Sequence, residues 1–468
     1  MRKFVLISGV AAAALLSAPA YAQSNSSAVN QSGTSQYADV SQAGSNGLSN
    51  VDQTGGYQQA KVSQKGNGAE SDVDQAGNSN TALVDQDGDN YSKINQSNFN
   101  NGASVVQSGD ANSSTVTQTG NNNEVSVPSP APWAGVRQAG NGNSSDITQS
   151  GDAATANVFQ TGDDNVSDVL QQDESGGNVL VTQNGDANNS LVEQTSSGSQ
   201  AVVLQEQTGN RSELRQGRNA GNAFQTNGQE ASISQTGSDN ESYADQTGSS
   251  GDLNVNQSGN NNLSDVLQSG FDNSAGDNIG MVGVDQSGDN NDAFVTQSGQ
   301  LSDAFVDQVG NSNVATITQD VLNTPNPAGG PDPRVATASI DQAGDANQST
   351  INQYGGSSTR SARLMSASST QGGDNNVSTI NQTNSLIDGP SSANFAEVAQ
   401  GGDGNASDLF QDGALNTATV TQNGSNNDSF VSQLGSGNSA TVNQSSNGNT
   451  STVNQSGTGN AATVTQGM

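Results

Sequence analysis

Glutamine amides are the side chains that this sequence repeats at a fixed spacing. Near the C-terminus Gln444, Gln455 and Gln466 close three nearly identical phrases, so the glutamines follow one another at a constant interval. A glutamine side chain offers two N–H donors and one carbonyl acceptor, and it supplies no nucleophilic or redox chemistry. A row of amides at fixed spacing therefore points to amide–amide hydrogen bonding, and the fold has to bring the amides together.

The same spacing recurs along most of the chain. Counted from a glutamine, position +2 is usually glycine, +5 is often asparagine, +7 is small, +9 is Val or Ile, and +11 is the next glutamine. A disordered chain has no reason to keep this phase, whereas a repeat architecture requires it. The runs at 11-residue spacing are Gln31, Gln42, Gln53, Gln64, Gln75 and Gln86; Gln138, Gln149, Gln160 and Gln171; Gln286, Gln297, Gln308 and Gln319; and Gln400, Gln411, Gln422, Gln433, Gln444, Gln455 and Gln466.

Each repeat is predicted to be a short β-strand followed by a glycine turn. Positions +5, +7, +9 and +11 then share one face of the strand, and +6, +8 and +10 share the other. A right-handed helical supercoil also has an 11-residue period. Glycine at a fixed phase, abundant Asn and Ser, and β-branched Val, Ile and Thr disfavour helix and favour strand and turn.

Such a strand is not stable alone, because ordering it costs roughly 1 to 2 kcal/mol per residue. Two 11-residue units are predicted to form a rung of about 22 residues, and rungs to stack in parallel as an all-β solenoid with loop insertions. Stacked Gln and Asn would then meet identical residues about 4.8 Å away and form hydrogen-bonded ladders. An unpaired buried amide would cost roughly 1 to 3 kcal/mol, which explains why each glutamine returns. Roughly 37 such glutamines, two per rung, predict about 18 rungs and a stack roughly 85 Å long.

Composition excludes several classes of function. The 468 residues contain 45 acidic and 12 basic side chains, and no His or Cys. Zinc sites and His- or Cys-dependent nucleophilic catalysis are therefore excluded, and we predict no enzyme, no catalytic residue and no cofactor. Calcium is the one metal that carboxylates and carbonyls here could bind. Residues 401–405 (GGDGN) approach a calcium β-roll phrase without matching it, so we predict no metal site, and calcium binding stays open.

The acidic side chains have a second predicted effect. When rungs stack, outward and turn carboxylates should gather into like-charged rows that oppose stacking at neutral pH. The candidates for these rows are Asp72, Asp74 and Asp85 on strands, and Asp152, Asp289 and Asp403 in turns.

The N-terminal segment 1–22 has the pattern of an export signal. Arg2 and Lys3 precede an apolar stretch over 4–16, and residues 20–22 (AYA) form a small-residue cleavage site. We expect the mature chain to begin at Gln23 and to lack any integral membrane segment, since no second apolar stretch approaches spanning length. Its acidity should repel nucleic acid and anionic membranes.

Interruptions divide the repeats. All eight prolines of the expected mature chain fall in the interruptions, as expected if the regular units are strands, because proline cannot donate in a ladder. The interruptions are either tolerated surface loops or, through Trp133, Arg360 and Arg363, adhesive spots. The predicted organisation is 1–22 signal peptide; 23–126 repeats; 127–135 proline-rich insertion; 136–320 repeats with an insertion near 271–283; 321–335 proline-rich insertion; 336–399 irregular repeats with insertions at 357–370 and 385–397; and 400–468 regular repeats.

The phrase Gln, Gly, Asn, small, aliphatic, Gln resembles the curlin repeat, the building unit of curli amyloid fibres. The resemblance extends from about Gln31 to Gln466 and is strongest from Gln400 onward. It implies an exported subunit of an extracellular, cell-surface fimbrium for adhesion and biofilm. It also implies self-polymerisation, a nucleator subunit and a curli-type outer-membrane secretion pore as partners. The ladder residues carried over are Gln411, Asn416, Gln422, Asn427, Gln433, Asn438, Gln444, Asn449, Gln455, Asn460 and Gln466.

Two other classes of function fit the same composition. A monomeric β-solenoid surface adhesin would have the same repeats without polymerising, and a disordered polar matrix protein would have neither strands nor a fixed register. Cross-β diffraction from aged protein would separate a fibre subunit from both.

Overall fold

The computed structural model describes residues 24–125, 135–172, 176–217, 228–247, 251–270, 274–275, 283–299, 302–321, 336–355, 365–384 and 393–467. These residues contain 38 β-strands and no helix, and accordingly they include no apolar helix that could cross a membrane. The expected signal segment, Trp133, Arg360 and Arg363 lie outside the described residues.

The strands form two sheets, and the first contains 18 strands, all paired in parallel. They are, in stacking order, β1 (Ser26–Thr34), β3 (Leu48–Gly56), β5 (Glu70–Asn78), β7 (Tyr91–Gln96), β9 (Ser113–Gln118), β12 (Ser144–Gln149), β14 (Val166–Gln171), β16 (Asn189–Gln194), β18 (Arg211–Gln216), β20 (Glu241–Gln246), β22 (Leu263–Gln268), β25 (Asp292–Gln297), β27 (Val314–Val321), β29 (Gln348–Gly355), β31 (Val377–Asn384), β33 (Ala406–Ala414), β35 (Asp428–Ser436) and β37 (Thr450–Thr458).

The second sheet is also parallel and fills the same number of levels, because β10 and β11 share one level and β23 and β24 share another. Its strands are β2 (Tyr37–Gln42), β4 (Gln59–Gln64), β6 (Thr81–Asp87), β8 (Gly102–Ser108), β10 (Glu124–Val125), β11 (Val136–Ala139), β13 (Thr155–Thr161), β15 (Asn178–Asn184), β17 (Gln200–Glu206), β19 (Glu230–Thr236), β21 (Asp252–Ser258), β23 (Ser274–Ala275), β24 (Val284–Ser287), β26 (Ser302–Val309), β28 (Ala336–Ala343), β30 (Met365–Gln371), β32 (Phe395–Gln400), β34 (Thr417–Gln422), β36 (Ser439–Gln444) and β38 (Ala461–Gln466).

One strand from each sheet makes one rung. The chain crosses from the first sheet to the second and back, so each strand pairs with the strand one rung later rather than with its sequence neighbour. In the regular regions the partner lies two 11-residue units further along the chain, as for Gln433 with Gln455 and Gln444 with Gln466. The described residues thus form a stack of 18 rungs. The predicted all-β solenoid, with two 11-residue units per rung, is confirmed.

The core lies between the two sheets and runs the length of the stack. Strand residues alternate between buried and outward positions, as in β4, where Ala60, Val62 and Gln64 are buried. The central column is aliphatic and includes Val51 and Ile94, both fully buried. These aliphatic side chains belong to one continuous cluster along the stack. Each rung is thus stabilised by the rungs on either side of it.

Glycine at position +2 permits the close stacking of turns. At Gly162, where φ is 109°, an added Cβ would lie 2.2 Å from the carbonyl oxygen of Gly185 in the next rung. At Gly288 the corresponding distance to the Gly310 oxygen is 2.1 Å. Both distances are far below van der Waals contact, so a side chain here would force neighbouring rungs apart.

The interruptions are shorter than the spacing of glutamines indicates. Residues 365–370, predicted to be inserted, lie in β30, and residues 395–397 lie in β32. Sequence periodicity misses β30 because Ser369 occupies the aliphatic position, where it aligns with Ile340 and Val398 of adjacent rungs. Pairing with regular strands on both sides holds β30 in register. One interruption was also missed: the interval between Gln216 and Gln235 is longer than 11 residues, and no insertion was predicted there.

Candidate assembly site: amide ladders and open terminal rungs

The glutamines that close the strands form two unbroken ladders. At every step the Nε2 of one glutamine donates to the Oε1 of the glutamine in the next rung, with N–O distances of 2.7–3.0 Å. The first sheet's ladder runs from Gln31 to Gln455 and includes Gln411 and Gln433. The second sheet's ladder runs from Gln42 to Gln466 and includes Gln422 and Gln444.

From Gln42 onward the ladder amides also connect the two sheets. Besides its partner in the next rung, Gln433 donates to the carbonyl oxygen of Thr417 in the opposite sheet at 3.0 Å. Gln53 donates in the same way to the carbonyl oxygen of Tyr37 at 3.0 Å. Between the terminal rungs, such an amide therefore uses one N–H along the stack and the other across it. This second contact does not follow from the repeat spacing, because it depends on how the two sheets face each other.

The asparagines at +5 fall into two columns, one at each edge of the solenoid. Asn427 and Asn449 belong to a column in which the backbone N–H of each residue donates to the Oδ1 of the asparagine one rung earlier, at 2.8–3.1 Å throughout. That column is unbroken from Asn90 to Asn449. Its members are Asn90, Asn112, Asn143, Asn165, Asn188, Asn210, Asn240, Asn262, Asn291, Asn313, Asn347, Asn376, Asn405, Asn427 and Asn449.

The asparagine column at the other edge is interrupted. Asn416, Asn438 and Asn460 repeat the same contacts near the C-terminus. Asn80, Asn101 and Asn123 do so near the N-terminus. Between these groups other residues take the position, among them Ala154 and Ser199. The two edges of the solenoid therefore differ in their hydrogen bonding.

Turn carboxylates have a role that the sequence analysis missed. Asp152, Asp289 and Asp403 each accept a hydrogen bond from a backbone N–H of the preceding rung, at 2.7, 2.9 and 3.1 Å respectively. Asp403 does stack on Asp374 as the like-charged rows predicted, but each carboxylate also bonds to the rung before it, because an ionised carboxylate is a strong acceptor for a turn N–H. The signal that could have revealed it is the alternation of Asp and Asn at +3, two residues that share this acceptor geometry.

The outward acids form short rows rather than long ones. Asp72 aligns with Asn50 and Lys93 and lies 3.5 Å from the Lys93 ammonium, and Asp85 lies 3.5 Å from that of Lys65. The prediction of like-charged rows at Asp72 and Asp85 is therefore wrong, because basic side chains occupy adjacent rungs. No group of three or more acids within the described ranges is arranged to hold a metal ion.

Three aspartates do align in consecutive rungs further along the second sheet. Asp285, Asp307 and Asp341 are stacked in register on its outer face. Partial burial, and then the charges of Asp285 and Asp341, raise the pKa of Asp307 above its ordinary value. Burial followed by the charge of Asp168 raises the pKa of Asp146 in the first sheet. Ionisation of these groups opposes stacking.

A column of buried serines lines the first sheet opposite the alanines of the second. Within the described residues, many of these hydroxyls have no hydrogen-bond partner. An unpaired buried hydroxyl lowers the free energy of unfolding. Alanine at these positions would remove the hydroxyl and its destabilising effect. The unpaired members are Ser92, Ser114, Ser145, Ser167, Ser190, Ser212, Ser349, Ser378, Ser407, Ser429 and Ser451.

Replacing Ser167 by alanine is expected to stabilise the solenoid by about 1 kcal/mol, because the change removes an unpaired buried hydroxyl and leaves almost no cavity. Chemical denaturation of the unassembled chain, followed by circular dichroism, measures this. Ser71 is the matched control, since its Oγ donates to Ser49 Oγ at 3.1 Å. Ser71→Ala should not stabilise. Equal effects of the two substitutions would contradict the assignment.

Both ends of the described stack are open. All nine residues of β1 are exposed, and Val29 is 37% exposed, whereas Val51 in the next rung is fully buried. At the other end the inward side chains of β38 are only partly covered. Each end therefore presents an unpaired strand edge, which is a template for pairing with another chain.

The family comparison agrees with this geometry. The family model for the curlin associated repeat matches residues 100–128, 227–259, 259–299, 392–422, 402–435 and 415–445. A search of curated proteins found no match. The matched segments lie toward the N-terminal end, in the middle and near the C-terminal end of the stack. They contain glutamines and glycines whose contacts join the rungs. The chain therefore contains curlin-type repeats, and the described residues fold as a parallel β-solenoid.

Proposed function

We propose that this chain is the secreted structural subunit of a curli-like functional amyloid fibre, and that it polymerises head to tail through its open terminal rungs. The observation that carries the proposal is the match between the two ends of one molecule. The inward residues Ser27, Val29 and Gln31 of β1 are repeated as Ser451, Val453 and Gln455 of β37.

The first and last strands of the second sheet also carry the same inward residues. Ala38, Val40 and Gln42 of β2 are repeated as Ala462, Val464 and Gln466 of β38. A second copy docked on the last rung would therefore continue the small, aliphatic and glutamine columns of both sheets with the residues that those columns already contain. Because the pairing is parallel, such a contact is heterologous and generates an open fibre rather than a closed oligomer.

Hydrogen-bond polarity also matches across the ends. Within the described residues, Gln455 and Gln466 each use one N–H on a backbone carbonyl and have no glutamine partner beyond them. At the opposite end, Gln31 and Gln42 donate along the ladder, and their Oε1 atoms accept no hydrogen bond within the described residues. Stacking the N-terminal rung of one copy on the C-terminal rung of another would pair these donors with these acceptors.

The remaining parts of the proposal follow from the repeat family. Curlin repeats support an extracellular role, and we propose export through the N-terminal signal followed by passage through a curli-type outer-membrane pore. A nucleator subunit would present a matching rung to the first copy. The fibre would serve adhesion and biofilm structure. The alternative is a monomeric solenoid adhesin with the same fold and no end-to-end contact.

Capping one end tests the proposal. In this stack, outward residues donate their backbone N–H to the next rung, as Ser26 and Tyr37 do, and inward residues such as Val158 donate to the previous one. The N–H groups of Ser27 and Ala38 therefore face the open N-terminal edge, where proline removes only the donor that a second copy would use. The double variant Ser27→Pro/Ala38→Pro, prepared without residues 1–22, should stay monomeric and β-rich.

Thioflavin fluorescence and electron microscopy measure assembly, and circular dichroism checks the fold of the capped variant. Because its C-terminal rung is intact, a small fraction of capped chain should also shorten wild-type filaments. Wild-type protein that remains a stable monomer would favour the adhesin. Capped protein that polymerises with an unchanged lag time would show that the terminal rungs are not the assembly site.

A further inference from the structure

Asparagine followed directly by glycine is a chemically reactive pair. The backbone nitrogen of the glycine lies within reach of the side-chain amide carbon of the asparagine, and the absence of a glycine side chain leaves its approach unhindered. Attack at that carbon is one reason why asparagine is a thermolabile residue. Seven such pairs lie entirely within the described ranges, and they begin at Asn46, Asn67, Asn101, Asn141, Asn184, Asn423 and Asn447.

The fold engages the glycine nitrogen in six of these seven pairs. Gly47 donates its N–H to the Oδ1 of Asn25 at 2.8 Å, and Gly102 donates to the carbonyl oxygen of Asn123 at 2.9 Å. In the other four pairs the N–H donates to a turn carbonyl oxygen of the preceding rung, at 2.8–3.0 Å; these donors are Gly68, Gly142, Gly185 and Gly448. Each hydrogen bond holds the proton on the nitrogen and fixes the peptide plane, so it has to break before the nitrogen can attack.

Gly424 is the exception. Its N–H donates to no acceptor in the part of the chain that the structure describes. The side chain of Asn423, which precedes it, is exposed to solvent. The nitrogen and the amide carbon of this pair can therefore approach each other without first breaking a hydrogen bond of the glycine N–H.

The pair formed by Asn184 and Gly185 has the same local sequence but a different turn conformation. Both pairs follow a ladder glutamine in a Gln–Asn–Gly segment, both asparagines are exposed, and both turns lead from the second sheet back to the first. Gly185 has a φ of 128° and donates its N–H to the carbonyl oxygen of Thr161 at 2.8 Å. Gly424 has no such positive φ. The local sequence therefore gives the two pairs similar intrinsic reactivity, and the fold separates them.

The carbonyl side of the turn at Gly424 departs from the regular geometry as well. In the regular turn the Nδ2 of Asn165 donates to the carbonyl oxygen of Gly185 in the next rung, at 2.6 Å. The residue that corresponds to Asn165 one rung before Gly424 is Asn405, and among the described residues its buried Nδ2 has no partner. One rung after Gly424, Ser446 takes the glycine position without a positive φ, which a residue with a side chain rarely adopts. The stacked turns at Gly424 and Ser446 therefore share a conformation that leaves the Gly424 N–H free.

We propose that Asn423 is a site of spontaneous deamidation in the folded chain, whereas the solenoid protects the other six pairs. The Gly424 nitrogen attacks the side-chain amide carbon of Asn423 and forms a new C–N bond. The amide nitrogen leaves as ammonia, which takes up the proton lost from the glycine nitrogen, and a five-membered succinimide remains. Water then opens this ring at either carbonyl and yields aspartate or isoaspartate.

The isoaspartate product alters a turn that joins two contacts between rungs. Gln422 donates to Gln444 at 2.9 Å, and the Oδ1 of Asn427 accepts from the backbone N–H of Asn449 at 2.8 Å. Isoaspartate carries the backbone through its side-chain carbon and so adds one backbone atom between Gln422 and Asn427. The longer turn no longer matches the turn stacked on it, so the modification loosens the last two rungs. This effect does not depend on filament formation.

Peptide mapping by mass spectrometry tests the site, on chain that lacks residues 1–22 and has been folded and then aged in mildly alkaline buffer. Deamidation at Asn423 should be several-fold faster than at Asn184 in the folded chain. In urea, where both turns are unfolded, the two Gln–Asn–Gly segments should react at similar rates. The ratio of folded to unfolded rate at each asparagine isolates the effect of the fold.

Two single variants give an independent measurement. Asn423→Gln should lower the isoaspartate content of the aged folded chain, as measured with an isoaspartate methyltransferase, and the matched control Asn184→Gln should leave it unchanged. A folded-to-unfolded rate ratio at Asn423 no higher than that at Asn184, or an isoaspartate content that Asn423→Gln does not lower, would overturn the proposal. Neither result bears on head-to-tail assembly, which the capped variant tests separately.

Discussion

Replacing Gln433, Gln444 and Gln455 by leucine should stop fibre assembly. Gln433 accepts from Gln411 at 2.9 Å, and it donates to Gln455 and to the Thr417 carbonyl oxygen. Leucine keeps the bulk of the side chain and removes all of these contacts. Each buried group left unpaired costs roughly 1 to 3 kcal/mol. Three such substitutions therefore remove a large part of the roughly 5 to 15 kcal/mol that is typical of a folded domain.

The damage falls on the assembling end, because these residues lie in the last two rungs. Loss of thioflavin signal and a lower unfolding midpoint are expected. The control variant Thr463→Ser/Thr465→Ser changes outward residues of β38 and should assemble normally. If the leucine and serine variants assembled at equal rates, the ladders would not determine assembly.

Lowering the pH from 7 towards 4 should stabilise the solenoid and shorten the lag before assembly. Partial burial raises the pKa values of Asp146, Asp168 and Asp307, and neighbouring carboxylates add to the effect for Asp146 and Asp307. The folded chain therefore binds protons more readily than the unfolded chain. For such groups the stabilisation is complete below the ordinary pKa of 3.8 and is lost as the pH rises through the raised value.

Neutral side chains at two of these positions should stabilise the solenoid at pH 7 in the way that lowering the pH does. Asp146→Asn/Asp307→Asn removes a charge from each row while keeping the side-chain size, so it should raise the unfolding midpoint at pH 7 and flatten its pH dependence. Asp39→Asn, on the exposed first rung, is the control and should change little. Lag times that stay flat or lengthen as the pH is lowered, unfolding midpoints that fall with it, or no response to the double variant would show that carboxylate repulsion does not limit folding and assembly.

The alternation of residue types determined much of the fold. A strand of six residues has three inward positions, and in the terminal repeats these are a small residue, an aliphatic residue and glutamine. Only stacking on identical neighbours both buries the aliphatic residue and pairs the amide. This local requirement repeats at every rung, so the recurrence of a phrase such as that from Ser439 to Gln444 at a fixed spacing predicts the architecture and the ladder positions.

Contacts between the two sheets and between the two edges could not be read from the repeat. All 11-residue units have the same sequence pattern, yet alternate units lie in opposite sheets and end at opposite edges of the solenoid. The donation from Gln433 to Thr417 joins residues 16 positions apart and exists because the sheets face each other. Serines such as Ser167 and alanines such as Ala156 are interchangeable as small residues in the sequence, but they form separate columns in the structure.

The sequence by itself thus determined the strands, the two-unit rung and the residues that face the core, because each depends on neighbours at fixed spacing. Only the tertiary structure decided which turn acids accept hydrogen bonds, that Met365–Gln371 pairs as a strand, and that alternate asparagines form separate columns at the two edges. These features depend on which units lie side by side after the chain has coiled. That pairing is a property of the whole stack rather than of any one repeat.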